Sequence, residues 1–175
     1  MNDRILVAYA SRAGSTAGVA EAIGRTLESR GAAVDVCRME DVQDLTPYQA
    51  VVAGSAIQRG RWLPEAMRFM QTYHAVLATK PFAAFSVCMT LAMPQAEKYR
   101  LGVAEWLEPV RTLARPVREG FFAGTLDIGS IPSFTDRLKF RLSVALGIWP
   151  EGDRRDWNAI RAWAESLRPL LQPSA

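Results

Sequence analysis

The chain has 175 residues, 49% of them hydrophobic and 22% charged. That is the make-up of one globular domain burying roughly two-thirds of its unfolded surface, not of a disordered chain. Its 21 basic residues barely outnumber its 18 acidic ones, which gives no footing for a nucleic-acid partner. No uncharged apolar run reaches the ~18 residues of a membrane-spanning helix, and the start Met1-Asn2-Asp3-Arg4 lacks the layout of a secretory signal, so a cytoplasmic protein is expected.

Ile5-Leu6-Val7-Ala8-Tyr9 is a short apolar run ahead of a glycine-containing loop and reads as a strand buried on both faces. Residues 16–30 follow with Val19, Ala20, Ile23 and Leu27 at helical spacing, ended by Gly31. Ala33-Val34-Asp35-Val36-Cys37 is a second strand whose polar positions suggest a sheet edge. Residues 48–54 give a third strand. Pro64 opens a helix to about Leu77, at a first-turn position where its missing N–H does no harm. Residues 81–88 form the fourth strand. Residues 95–114 read as one helix with Tyr99, Val103, Leu107 and Val110 on its apolar face. Gly120-Phe121-Phe122-Ala123-Gly124 is the fifth strand. A last helix over 153–171 turns Trp157, Ile160, Trp163 and Leu167 inward.

Strand and helix alternate throughout, which predicts a doubly wound, three-layer α/β sandwich. Five parallel strands then take the order 2-1-3-4-5. No repeat or linker divides the chain, so residues 1–175 are expected to form a single domain, with an insertion at about 125–152. Cys37 and Cys88 lie in apolar runs and read as buried free thiols. The single His74 has no company for a metal site and is expected near a helix end.

Ligands of such sheets bind at the edge where strand order reverses, here between strands one and three. The loop after strand one is Ser11-Arg12-Ala13-Gly14-Ser15-Thr16. It offers three hydroxyls, a glycine for a tight turn and a helix N-terminus, a combination that suits one phosphate monoester. Neither a dinucleotide G-x-G-x-x-G nor a nucleotide-triphosphate Gly-Lys-Ser/Thr signature is present. The plainer alternative is a helix start with Ser15 or Thr16 as its cap and no ligand.

This loop resembles the flavodoxin pattern T-x-T-G-x-T: Ser11, Gly14 and Thr16 match in kind, and Ala13 departs by removing one hydroxyl. The resemblance runs the length of the chain and lies closest to the flavodoxin-like menaquinone-dependent protoporphyrinogen dehydrogenases. Their S-T-R-D-G-Q-T loop is similar to 11–16, with Ala13 where Asp stands. Their V-I-G-A-S-I-R-Y-G-H segment looks like Val52-Ala53-Gly54-Ser55-Ala56-Ile57-Gln58-Arg59-Gly60-Arg61. Their F-Y-S-V-N-L segment looks like Phe85-Ser86-Val87-Cys88-Met89-Thr90-Leu91, without the Tyr.

What the resemblance implies is a flavodoxin-like fold and FMN as cofactor. The phosphate would sit on Ser11, Arg12, Ala13, Gly14, Ser15 and Thr16. The ring would lie between Ser55, Ala56, Ile57, Gln58, Arg59 and Gly60 on one side and Ser86, Val87, Cys88, Met89, Thr90 and Leu91 on the other. Trp62 either stacks on that ring or covers the next helix. The implied reaction is oxidation of protoporphyrinogen IX to protoporphyrin IX in haem biosynthesis, with a quinone or a redox partner protein taking the electrons. No Ser-His-Asp arrangement or carboxylate pair stands out, so no catalytic side chain and no metal ligand is assigned. Arg59 and Arg61 either hold tetrapyrrole propionates or are solvated surface charges. The alternatives are a flavodoxin-type electron carrier without a small-molecule substrate and a flavin-free interaction domain, the latter raised by Ala13.

The insertion contains an apolar run from 134 to 149, interrupted by Arg137, Lys139 and Arg141 and stopped by Pro150. Two readings stand for it. One is a helix packed over the sheet or in a homodimer. The other is a surface helix that meets a membrane, at the inner face, or a quinone or bulky apolar substrate.

Overall fold

The computed structural model describes residues 4–131 and 133–172. Five strands, β1 (Arg4–Ala10), β2 (Ala33–Arg38), β3 (Ala50–Gln58), β4 (Phe82–Val87) and β5 (Arg118–Phe122), pair in parallel in the order β2-β1-β3-β4-β5. This is the doubly wound arrangement that the alternation of elements predicts.

Side chains alternate between the two faces of a strand, and both faces are covered. On one face Leu6, Ala8, Val51, Ala53, Phe82 and Ala84 pack with Phe69 and Met70 of α2 (Pro64–Leu77) and Val110 of α4 (Glu108–Leu113). On the other, Ile5, Val7, Val52, Ala83 and Phe85 pack with Val19, Ile23 and Leu27 of α1 (Ser15–Ser29) and Ile160 and Leu167 of α6 (Trp157–Leu167). Gly54 in β3 makes this second layer possible. A Cβ there would fall 2.0 Å from the Phe85 ring, so the phenyl lies directly on the backbone. Phe85, Phe122 and Trp163 then meet as tilted or edge-on rings with centroids 5.6–6.4 Å apart.

Helix α1 ends as its sequence predicts. Gly31 takes φ +89°, and the N–H groups of Gly31 and Ala32 close on the carbonyls of Glu28 and Leu27.

Five boundaries differ from the sequence expectation. The helix expected over 95–114 is two helices, α3 (Ala96–Glu105) and α4, broken at Trp106 and Leu107. Pro109 belongs at the start of a helix and disfavours its interior. Tyr99 is consequently exposed, while Val103, Leu107 and Val110 are buried. The fifth strand sits at Arg118–Phe122 and not at 120–124. As the sheet edge it admits polar residues, and Glu119 takes both oxygens to Arg111 at 2.6 Å. The third strand runs on to Gln58, where Arg59 (φ 54°) and Gly60 (φ 72°) turn the chain back. Arg61–Trp62 then pairs antiparallel with Ile57 and Gln58, so the expected loop there is a two-residue hairpin.

The last helix starts at Trp157, because the Asp156 carboxylate accepts from the N–H groups of Asn158 and Ala159. Asp153, expected to open that helix, and Gly152 before it pair instead with Thr125–Leu126 as an antiparallel ribbon that closes the insertion at its base. Inside it, α5 (Phe134–Ala145) is capped by Ser133. It does not reach 149. Gly147 at φ 71° ends it, with the Gly147 and Ile148 N–H groups bonded to Val144 and Ser143, ahead of Pro150.

Candidate functional site

The C-terminal ends of β1, β3 and β4 meet beneath one cavity of about 160 Å³. Ser11, Arg12, Ala13, Ser15 and Thr16 line it from the first loop, Ala56 and Ile57 from β3, and Val87 and Met89 from the end of β4. Gly124 and Thr125 close it from the segment after β5. The sequence reading did not assign these last two. Their signal was position, since they follow a parallel strand at the same sheet edge as the other loops.

Local geometry builds the first loop. Gly14 adopts φ +84°, and its N–H is accepted by the Ser11 hydroxyl at 3.1 Å. The chain then enters α1, whose first turn carries no acidic residue and no side-chain cap. The uncapped N–H groups and the positive end of the helix dipole are therefore left to the cavity. The Ser15 hydroxyl accepts from the Thr125 N–H at 3.2 Å, which leaves its own proton free to donate. The Thr16 hydroxyl is 1% exposed and has no hydrogen-bond partner. An unsatisfied buried hydroxyl costs on the order of 1–3 kcal/mol, and an anion in the cavity would satisfy it.

The donor set therefore fits a phosphate despite Ala13. Arg12, more than half exposed, pairs with Glu65 at 3.2 Å and stands at the cavity mouth. Beyond the loop the walls are apolar, formed by Ala56, Ile57, Val87 and Met89, suitable for a flat hydrophobic group next to a charged one.

The other expected residues lie around this cavity without lining it. Ser55 is fully buried; its hydroxyl donates to the Ala56 carbonyl and accepts from the Leu63 N–H at 3.0 Å. Ser86 accepts the Trp62 indole N–H at 2.8 Å. Both hydroxyls thus serve the fold. Trp62 is 1% exposed, so it covers the start of α2 and presents no face for stacking. Gln58, Arg59 and Arg61 are exposed on the hairpin, and Gly60 lies against Trp106. Cys88 is a buried free thiol whose backbone N–H bonds Phe122, and it leads into a 3-10 turn holding Met89, Thr90 and Leu91. Cys37 is free and half-buried, and burial raises its pKa. His74 is exposed in the last turn of α2, with Nδ1 2.8 Å from the Gln71 carbonyl. Among the described residues no group of His, Cys, Asp and Glu is arranged to hold a metal ion.

Residues 6–147 match the family model described as Flavodoxin domain. Among solved structures, a flavodoxin from the domain Archaea is 27% identical, with TM-score 0.51, over 83% of this chain and 94% of its own. Flavodoxin 2 of Bacillus cereus is 24% identical, with TM-score 0.53, over 83% and 97%. The flavodoxin of Streptococcus pneumoniae TIGR4 is 15% identical, with TM-score 0.59, over 95% and 98%; the last two share the fold. No curated protein is significantly similar to the chain in sequence.

Proposed function

The chain belongs to the flavodoxin domain family, and on that premise we propose that it binds FMN through the 11–16 loop and acts as a redox protein. The observation that carries this is the Thr16 hydroxyl, buried and without a partner at the head of α1. Bound FMN supplies the electron-accepting group. The chain's own work is to hold the phosphate on Ser11, Ser15, Thr16 and the first-turn N–H groups, and to seat the ring by the β3 and β4 ends, through Ala56, Ile57, Val87 and Met89.

The purified protein tests this at once. A yellow protein that releases FMN, or a colourless one that binds added FMN, is the expected result. A colourless protein that binds none overturns it.

The finer reading is a protoporphyrinogen dehydrogenase that draws electrons and protons from the porphyrinogen and delivers them to a quinone in the bilayer. The three segments that resemble that family support it, and so does α5. Phe134, Leu138, Leu142 and Leu146 recur every fourth residue and form one outward stripe, each between 60% and 72% exposed. Phe140 and Val144 take the inner side, and the exposed Lys139 and Arg141 flank the stripe. Apolar residues edged by basic ones match an anionic lipid surface. No helix among the described residues is long and apolar enough to cross a membrane, so contact would be peripheral. Anaerobic mixing with protoporphyrinogen IX, with and without a quinone, separates enzyme from carrier: the flavin is bleached by the donor and recovers with the quinone. A flavin that stays oxidised leaves an electron-transfer protein.

A further inference from the structure

Four residues form a closed ring of contacts between the insertion and the head of α1. Thr125 donates its N–H to the Ser15 hydroxyl at 3.2 Å and its own hydroxyl to Asp153 at 3.1 Å. Asp153 takes the Arg155 guanidinium through both oxygens, at 2.8 and 2.7 Å. Arg155 reaches back with Nη1 to the Ser15 carbonyl at 3.3 Å. The guanidinium is held on its remaining side by the Trp157 ring, 4.4 Å from the centroid, and its side chain is only 15% exposed. It lies flat on α1 because Gly18 has no side chain; a Cβ there would come within 2.5 Å of Nη1.

The Ser15 carbonyl and the Thr16 N–H belong to one planar, trans peptide unit, so they point in opposite directions. Fixing the carbonyl from outside the helix fixes where the N–H points, which at a helix N-terminus is toward the phosphate. A positive charge on that carbonyl also polarises the N–H it is conjugated with, strengthening it as a donor. From this geometry we infer that Arg155, oriented by Asp153, is a positioning residue of the phosphate cradle: it aligns and polarises the Ser15–Thr16 peptide for the phosphate of FMN. The inference rests on the FMN reading above and deepens it. It makes the base of the insertion part of the cofactor site and not an appendage to it.

Riboflavin, which has the ring and ribityl chain of FMN without the phosphate, isolates the effect. Dissociation constants of FMN and riboflavin are measured on the apoprotein by fluorescence quenching, for the wild type, Arg155→Gln, Arg155→Lys and Gly18→Ala. The ratio of the riboflavin constant to the FMN constant is expected to fall about tenfold in Arg155→Gln, the loss expected for one weakened donor to a charged group. Arg155→Lys retains part of it. Gly18→Ala keeps the charge but pushes the guanidinium off α1. It lowers the ratio while leaving stability unchanged or higher, since alanine is the better helix former. That second variant answers the question even if Arg155→Gln fails to fold. An unchanged ratio in Gly18→Ala and Arg155→Gln, or equal weakening of FMN and riboflavin, overturns the inference and leaves Arg155 a structural residue. A wild-type apoprotein that binds no FMN overturns the underlying cofactor reading and the inference with it.

Discussion

The Trp62 indole N–H and the Ser86 hydroxyl are hydrogen-bonded at 2.8 Å inside the fold, each residue 1% exposed. The bond ties the hairpin that follows β3 to the end of β4, beside Ala56, Ile57, Val87 and Met89 of the cavity's apolar wall. Ser86→Ala leaves a buried indole N–H without a partner, which costs about 1–3 kcal/mol. Urea unfolding of the apoprotein should show that loss as a lower midpoint with an unchanged slope. Trp62→Phe combined with Ser86→Ala should destabilise by less than the sum of the single changes, because both remove the same bond. Additive losses would mean the bond contributes nothing.

Thr16→Val is expected to move stability and binding in opposite directions. Valine has nearly the same shape as threonine, and the hydroxyl it removes is buried and unpartnered in the apoprotein. Removing it relieves a desolvation penalty of roughly 1 kcal/mol or more, so the apoprotein should unfold at equal or higher urea. The same hydroxyl is the one that phosphate would satisfy, and a hydrogen bond to a charged group contributes about 1.5–3 kcal/mol. FMN should therefore bind roughly 10–100-fold more weakly. A variant less stable and equally tight for FMN would place the hydroxyl's role in the fold.

The strand and helix order was legible from residues 5–9, 48–54 and 81–88 because strands buried on both faces are continuous apolar runs, and from 33–37 because a half-exposed edge strand still keeps its β-branched residues, Val34 and Val36, in an extended run. The 11–16 loop stood out for a related reason, since its hydroxyls and glycine are local in sequence. What escaped was set by partners distant in the chain. Glu119 sits in an edge strand because Arg111 meets it, and residues 152–153 are a ribbon because Thr125–Leu126 pair with them. Trp62 left two readings open, stacking on a ring or covering the next helix, and only the position of Ser86 shows that its polar edge is bound inside. Gly124 and Thr125 belong to the cavity through the topology of the sheet, not through any motif of their own.

Tyr48 predicts an alkaline limit to stability. Its hydroxyl donates to Asp35 at 2.9 Å, and burial, followed by that bond and the Asp35 charge, raises its pKa from 10.0 to about 12. The fold thus holds the proton more tightly than the unfolded chain does. The stability this contributes is fully present below about pH 10 and is lost as the pH rises toward about 12. Unfolding midpoints measured across that window should fall for the wild type and fall less for Tyr48→Phe, and the tyrosinate absorbance should show one late-titrating group. Equal slopes for the two proteins would remove Tyr48 from the account.

The stripe on α5 makes the remaining prediction. Leu138 and Leu142 are 60% and 62% exposed, and no residue of α5 is buried, so replacing both with Ser removes apolar surface without opening a cavity. Surface changes of this kind usually shift stability by less than about 0.5 kcal/mol. If the stripe meets lipid, the wild type should float with vesicles containing anionic lipid and much less with purely zwitterionic ones, because Lys139 and Arg141 add a salt-sensitive attraction. Leu138→Ser with Leu142→Ser should abolish flotation at any salt. Lys139→Gln with Arg141→Gln should weaken it mainly at low salt. A homodimer that disappears in the Leu variant, with no flotation by the wild type, would show that the same stripe is covered by a second copy of the chain. In either case FMN binding should be unaffected, since α5 contributes no residue to the lining of the cavity.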